Sequence, residues 1–228
     1  MSSRHAIADV AALMGEPTRA AILLALMDGR ALPAGELASA ASLSAAATSI
    51  HLGKLTNAGL LAVEQEGRHR YYKLASVEVA YALEALGAIA TKPTKAALSP
   101  ERAALRHART CYDHLAGEVA VALLQSMTRD RVLRADPSGD RTFAITPHGA
   151  KWLEDKLALD VRSLTPTKRP FARRCIDWTE RRPHLAGTLG AAILEAMLEK
   201  RLVARMKGIR TLRVTTRGET FFAALSRA

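Results

Sequence analysis

The stretch "LSAAATSIHLGKLTNAGLLAVEQEGRHRYYKL", residues 43–74, reads as a helix, a tight connection and a two-stranded hairpin with a basic tip. The helix is predicted from about Ser44 to Ala58, after the short helix "LPAGELASAAS" and the turn "SLS". "LLAVEQ", "EGRH" and "RYYKLA" then give strand, turn and strand. Two helices joined by a turn and followed by a hairpin make the pattern of a winged helix-turn-helix. Along the second helix Thr48, Leu52, Leu55 and Gly59 share one side and read as core. The opposite side carries Ala45, Ala46, Ser49, Ile50 and Gly53, where only Ser49 can donate or accept a hydrogen bond. Such a face can meet thymine methyls, but it lacks the bidentate groups that read guanine or adenine.

Upstream, "ADVAALMGEPTRAAILLALMDG" predicts two short helices split at Pro17, the second started by Glu16-Pro17-Thr18 and ended near Gly29. Ile22, Leu23, Leu26 and Met27 form its apolar stripe. Downstream, "SVEVAYALEALGAIA" predicts a closing helix. "EPTRAAILLALMDG", "ELASAASLSAAATSIHLGKLTNAGLL" and "EGRHRYYKL" together resemble the ArsR/SmtB-type winged-helix repressors over residues 5 to 92. The resemblance implies a homodimer built partly from the first helix and the helix after the wing, with two recognition helices in successive major grooves of double-stranded DNA. It also implies release of operator DNA when an inducer binds. The DNA-contacting positions would be Ser44, Ala45, Ala46, Thr48, Ser49, Ile50, Lys54, Arg68, His69, Arg70 and Tyr72. The family's metal sites do not carry over. Where one of them has cysteines in an ELCxCDL pattern, this chain has "ELASAAS", and the other uses histidines that "SVEVAYALEALGAIATKP" lacks.

The composition agrees with an anionic partner. Of 33 basic and 22 acidic residues, 9 and 8 fall in residues 1–100, which leaves 24 against 14 in the remainder. The predicted DNA reader is therefore nearly neutral, and +10 of the net charge of +11 sits beyond it. No stretch is apolar enough to span a membrane, the N-terminal pattern is broken by Asp9, Glu16 and Pro17 unlike a signal peptide, and two cysteines make no disulfide framework. The expected compartment is the cytoplasm.

"TKPTKAALSPERAA" (91–104) is the expected boundary between a domain of residues 1–94 and one of residues 99–228, with a new helix at Ser99-Pro100-Glu101. The second domain is duplicated. "HLAGEVAVALLQSMTRDRVL" from His114 recurs as "HLAGTLGAAILEAMLEKRLV" from His184, 70 positions later. "GDRTFAITPHG" from Gly139 then recurs as "GIRTLRVTTRG" from Gly208. Each copy, about 107–160 and 176–228, reads as helix, hairpin, helix, with Thr146 capping the helix that closes the first. The expected fold class is mainly α with small β-hairpins (α+β): an N-terminal winged helix-turn-helix and a C-terminal domain of two winged-helix-like repeats.

"RTCYDHLAG" and "RRCIDWTERRPHLAG" both enter the repeat helices, so Cys111, Asp113, His114, Cys175, Trp178, Arg181 and His184 are expected to line an effector pocket suited to an anionic small molecule. Arginines on the repeat hairpins, among them Arg134, Arg205, Arg210 and Arg213, are the alternative home for the excess charge, against DNA phosphates. Cys111, His114, Cys175 and His184 have metal-ligand chemistry, but the spacing C-x2-H occurs once and eight residues separate the second pair. Each histidine is read instead as capping or packing its own helix, and no metal ligand or cofactor is assigned. No phosphate loop, nucleophile elbow or H-E-x-x-H is present, so no enzyme is expected. The resulting expectation is a sequence-specific transcriptional repressor released by an effector bound in residues 99–228. The alternatives are a metal- or redox-responsive regulator using the two Cys–His pairs, and a nucleoid-type DNA-binding protein.

Overall fold

A computed structural model describes residues 3–67, 69–90, 99–137, 141–165, 169–206 and 209–227. The chain forms two compact units, Met1–Leu83 and Glu84–Ala228. No helix among the described residues is long and apolar enough to cross a membrane.

The first unit opens with α1 (Ser3–Gly15) and α2 (Pro17–Ala25). Glu16 caps α2, its two carboxylate oxygens accepting from Thr18 N at 3.0 Å and Arg19 N at 2.9 Å, while Pro17 occupies the first turn, where its missing N–H costs nothing. Ile22, Leu23, Leu26 and Met27 are all buried, as their stripe predicts. A two-residue strand β1 (Leu32–Pro33), too short to register in the sequence, precedes α3 (Ala34–Ala40) and α4 (Ala45–Asn57). The wing is β2 (Leu61–Glu66) and β3 (His69–Leu74) in a sheet ordered β1-β3-β2. α5 (Val77–Ala90) follows.

The core face of α4 differs from expectation at one position. Thr48, Leu52 and Leu55 are buried, but Gly59 is exposed. It lies past the helix end at φ +71°, and Leu60 N returns to Leu55 O at 2.9 Å. That left-handed step closes the helix and swings Leu60 inward in place of Gly59.

The second unit begins with α6 (Pro100–His107), capped by Ser99. The first repeat then runs β4 (Arg109–Cys111), β5 (His114–Ala116), α7 (Glu118–Arg129), β6 (Leu133–Ala135), β7 (Phe143–Ile145) and α8 (Pro147–Leu157). The second runs β8 (Arg173–Ile176), β9 (Pro183–Ala186), α9 (Gly187–Glu199), β10 (Val203–Arg205), β11 (Leu212–Val214) and α10 (Thr216–Arg227). Each repeat thus starts with an extra hairpin, and the "HLA" of each HLAG is a strand and not a helix entry. The glycine makes this possible. Gly117 and Gly187 take φ +94° and +89°, and a Cβ there would lie 2.6 Å from Arg106 O and 2.5 Å from Pro170 O. Only glycine lets the chain turn from strand into helix in so tight a space.

The repeats exchange edges. Leu212 N of the second donates to Ala108 O at 2.9 Å, and Phe143 N of the first donates to Ala172 O at 2.9 Å. Isolated bridges join Arg109 to Thr211 and Thr142 to Arg173. Met127, Leu153, Leu189, Leu194 and Met197 from both copies share one core. Equivalent caps hold the wing-side helices: Thr146 Oγ1 accepts from Gly149 N at 2.9 Å, and Thr215 Oγ1 from Gly218 N at 3.1 Å.

Candidate nucleic-acid interface and a buried cysteine–histidine centre

On α4, Ser44 Oγ accepts from Ala47 N at 3.3 Å and so caps the helix at its exposed end. Ala45, Ala46, Ser49, Ile50, Gly53 and Lys54 are exposed on the face away from the core. Ser49 Oγ donates to Ala45 O at 3.0 Å and keeps its lone pairs free to accept. Thr48 corrects the expectation. It is fully buried, its hydroxyl donating to Ser44 O at 2.8 Å, so it supports the helix and has no route to DNA. On the wing, His69 and Arg70 are exposed, whereas Tyr72 is half-buried between Leu32 and Val63 in the sheet register. Glu66 stands opposite His69 and Gln65 opposite Arg70, which tempers the basic tip. Arg68 lies outside the described residues.

The second centre is the set of four residues that the sequence offered only as the lesser, metal- or redox-responsive reading. In β4–β5, Cys111 stands directly opposite His114, and in β8–β9, Cys175 stands directly opposite His184. Residues opposed in an antiparallel pair project to the same face, so each hairpin presents one thiol and one imidazole side by side. The two hairpins bring these pairs together. Cys111 Sγ and Cys175 Sγ are 3.9 Å apart, His114 Nε2 and His184 Nε2 are 3.1 Å apart, and one ligand atom from each of the four residues lies within 4.8 Å of the others. All four residues are buried, and both cysteines are free thiols.

Carboxylates back both rings. Asp113 Oδ1 is 3.2 Å from His114 Nδ1 and Asp177 Oδ2 is 3.8 Å from His184 Nδ1. Asp113 is held in turn by Arg169. Asp177, itself buried, accepts from Arg109 Nη2 at 3.0 Å, Gly117 N at 2.7 Å and Thr179 Oγ1 at 2.6 Å. Arg109 is also fully buried, lies over the Trp178 ring at 5.0 Å, and reaches to 3.8 Å from Glu84 Oε2 on α5. Arg210 completes the charge balance with Glu84 Oε1 at 3.0 Å.

These surroundings set the protonation. Burial opposes ionisation of Asp177, but the Arg109 guanidinium, Thr179 and His184 outweigh it and hold the carboxyl well below the usual range. Burial likewise opposes charge on His114, yet Asp113 and the Cys175 sulfur prevail and push the imidazole up to about 9. The Cys111 thiol is pushed up by burial and by its partner, while the hydrogen bond from Cys111 and the two imidazoles pull Cys175 down against its burial.

A helix-turn-helix domain family model matches residues 14–64, which span α2 to β2. The uncharacterized HTH-type transcriptional regulator YdfF of Bacillus subtilis is 43% identical over 218 residues, covering 95% of this chain and 95% of that protein. The chain belongs to the HTH-type transcriptional regulators. The HTH-type regulator CmtR of Mycobacterium bovis is 40% identical over 78 residues, 34% of this chain and 65% of its own length. The solved structure of HlyU from Vibrio cholerae is 31% identical and covers 40% of this chain and 98% of its own, with a TM-score of 0.37.

In this regulator the residues expected to line an anionic effector pocket are arranged otherwise. Cys111, His114, Cys175 and His184 pack against one another, Asp113 and Trp178 are half-buried beside them, and Arg181 is exposed. A cleft of about 600 Å³ lies elsewhere on the second unit, with Gln125, Arg141, Phe143 and Arg174 in its wall and none of the seven expected residues. The histidines do not cap or pack separate helices. They sit on strands, because the tight Gly117 and Gly187 turns start the helices after them. Of the hairpin arginines, Arg210 is engaged with Glu84 and Arg205 with Glu195 at 3.2 Å. Arg109 and Glu84 were missed altogether. The one available signal was an arginine two residues before each cysteine, Arg109 and Arg173.

Proposed function

We propose that this regulator is a homodimeric repressor that binds a palindromic operator through Ala45, Ala46, Ser49, Ile50 and Lys54 of α4 and His69 and Arg70 of the wing, and that an effector acting on residues 99–228 releases it. One observation carries the effector reading: a buried set of paired cysteines and histidines, linked through Asp177 and Arg109 to Glu84 of α5. Charged and ionisable groups are costly to bury, and a domain with only a structural task would be served as well by apolar packing. α5 starts at Val77, directly after the wing, so a rearrangement felt at Glu84 acts on the helix that follows the DNA-contacting hairpin. Half-sites one helical turn apart tolerate little change in recognition-helix spacing, so a small shift is enough to weaken binding. The cations near the centre are matched by Asp177 and Glu84, which favours a compact cationic effector over an anion.

The DNA half of the reading is tested by fluorescence anisotropy with DNA upstream of the regulator's own coding region, across a salt series. Lys54→Ala and Arg70→Ala are each expected to weaken binding to all sequences alike and to lower the salt slope by about 1. Ser49→Ala is expected to change the discrimination between sequences and leave the slope alone. Unchanged slopes in both cation variants remove the wing and α4 from the phosphates.

A further inference from the structure

The sulfur–sulfur and nitrogen–nitrogen separations of the buried centre match those of a coordination polyhedron. A tetrahedral zinc-type ion with bonds of about 2.3 Å to sulfur and 2.0–2.1 Å to nitrogen requires sulfurs about 3.8 Å apart and nitrogens about 3.3 Å apart. The observed separations are 3.9 Å and 3.1 Å. The rings are turned the right way. Asp113 lies 3.2 Å from His114 Nδ1 and Asp177 3.8 Å from His184 Nδ1, and the two Nε2 atoms point inward at each other. Two Nε2 atoms 3.1 Å apart are held there by a proton shared between them or by a cation that replaces it. The two sulfurs lie within 4.8 Å of those nitrogens.

We infer that Cys111, His114, Cys175 and His184 form a four-coordinate site for a thiophilic divalent cation of the zinc class, with one thiolate and one imidazole supplied by each repeat. The donor set is soft enough to exclude magnesium and calcium, and its four protein ligands leave no open position for substrate or water, which is the form of a closed, non-catalytic site. Charge favours it too. Two thiolates balance a dication, so the loaded centre adds no net charge to a buried location, and the two thiol protons go to solvent as the metal enters. The site joins β4–β5 to β8–β9, so loading it ties one repeat to the other at their shared centre. As the identity of the effector, this inference rests on the regulatory reading above, whereas the site itself does not.

The test uses full-length protein, reduced and stripped with a chelator, then titrated with Co(II) and competed with Zn(II). The expected result is one Co(II) per chain, with the visible bands of a tetrahedral ion and a near-ultraviolet thiolate charge-transfer band, both removed by Zn(II). Cys175→Ser is expected to weaken the charge-transfer band and Cys111→Ser/Cys175→Ser to abolish it. Circular dichroism verifies folding, and His184→Gln, which spares the thiols, gives a second variant should the serine pair unfold. A folded, reduced protein that takes up neither ion overturns the site. So does a spectrum that survives the double variant, or a Cys111–Cys175 disulfide that forms as readily in saturating Zn(II) as without it. Operator binding is read on the same samples. Metal uptake with operator affinity unchanged leaves the site standing and removes its effector role; failure to bind operator with or without metal counts against the DNA reading alone.

Discussion

Arg109 Nη2 donates to Asp177 Oδ2 at 3.0 Å, joining the first strand of one repeat to the hairpin turn of the other with both side chains fully buried. The same guanidinium lies over Trp178 and near Glu84, and the same carboxylate takes the Gly117 amide. The pair is thus a junction for several elements and not an isolated bridge. Desolvating two such charges is costly, and their mutual attraction with the added hydrogen bonds offsets that cost only while both partners are present.

Arg109→Leu is therefore expected to destabilise the protein by roughly 3–5 kcal/mol, since it leaves Asp177 buried without its cation. Denaturant unfolding measures this. A loss below about 1 kcal/mol, the range of an exposed pair, would mean that solvent already reaches the junction.

Glycine substitutions should separate two kinds of position. A Cβ on Gly149 would lie 2.0 Å from Val132 O and one on Gly218 2.0 Å from Leu202 O, so either change to alanine forces a helix off its hairpin. The expected loss is about 1–3 kcal/mol for each. Gly53, on the exposed face of α4, has nothing within 4 Å of its Cβ position, and Gly53→Ala should stabilise by about 0.5–1 kcal/mol. Thermal midpoints of the three variants test the contrast, and similar shifts in all three would refute it.

The Glu16 cap should show in acid. Backbone hydrogen bonds from Thr18 and Arg19 lower its carboxyl from 4.5 to about 2, so folding favours the charged form. Its contribution is complete above the ordinary value and drains away as pH falls from about 4.5 through about 2. Glu16→Gln should lower the thermal midpoint at neutral pH and converge with the parent protein as the pH approaches 2. A gap that persists there would mean that the cap does not depend on charge.

The winged helix could be read from sequence because its signals are local. Periodicity placed Thr48, Leu52 and Leu55 inside, and Glu16-Pro17-Thr18 marked the start of α2. Where a single residue's backbone decided the outcome, periodicity misled: it counted Gly59 on the core face, whereas Gly59 turns the chain and buries Leu60. The cysteine–histidine centre failed for a different reason. Cys175 and His184 are cross-strand neighbours, but the turn between their strands is longer than that between Cys111 and His114, so linear spacing obscured an equivalence that strand register makes plain. Arg109 gave less warning still, because nothing local distinguishes a buried arginine from a surface one. Its carboxylate partners come from α5 and from the opposite repeat.

The reciprocal edge pairing constrains how this half of the regulator comes into being. Phe143 waits for Ala172, and Ala108 waits for Leu212, so a nascent chain that has emerged only through the first repeat has unfilled hydrogen bonds on both sides of its own hairpins. The duplicated half completes its edges only when the last hairpin has left the ribosome. A gene truncated between the copies would leave Phe143 N and Ala108 O without their partners, an unpaired edge open to association with another chain.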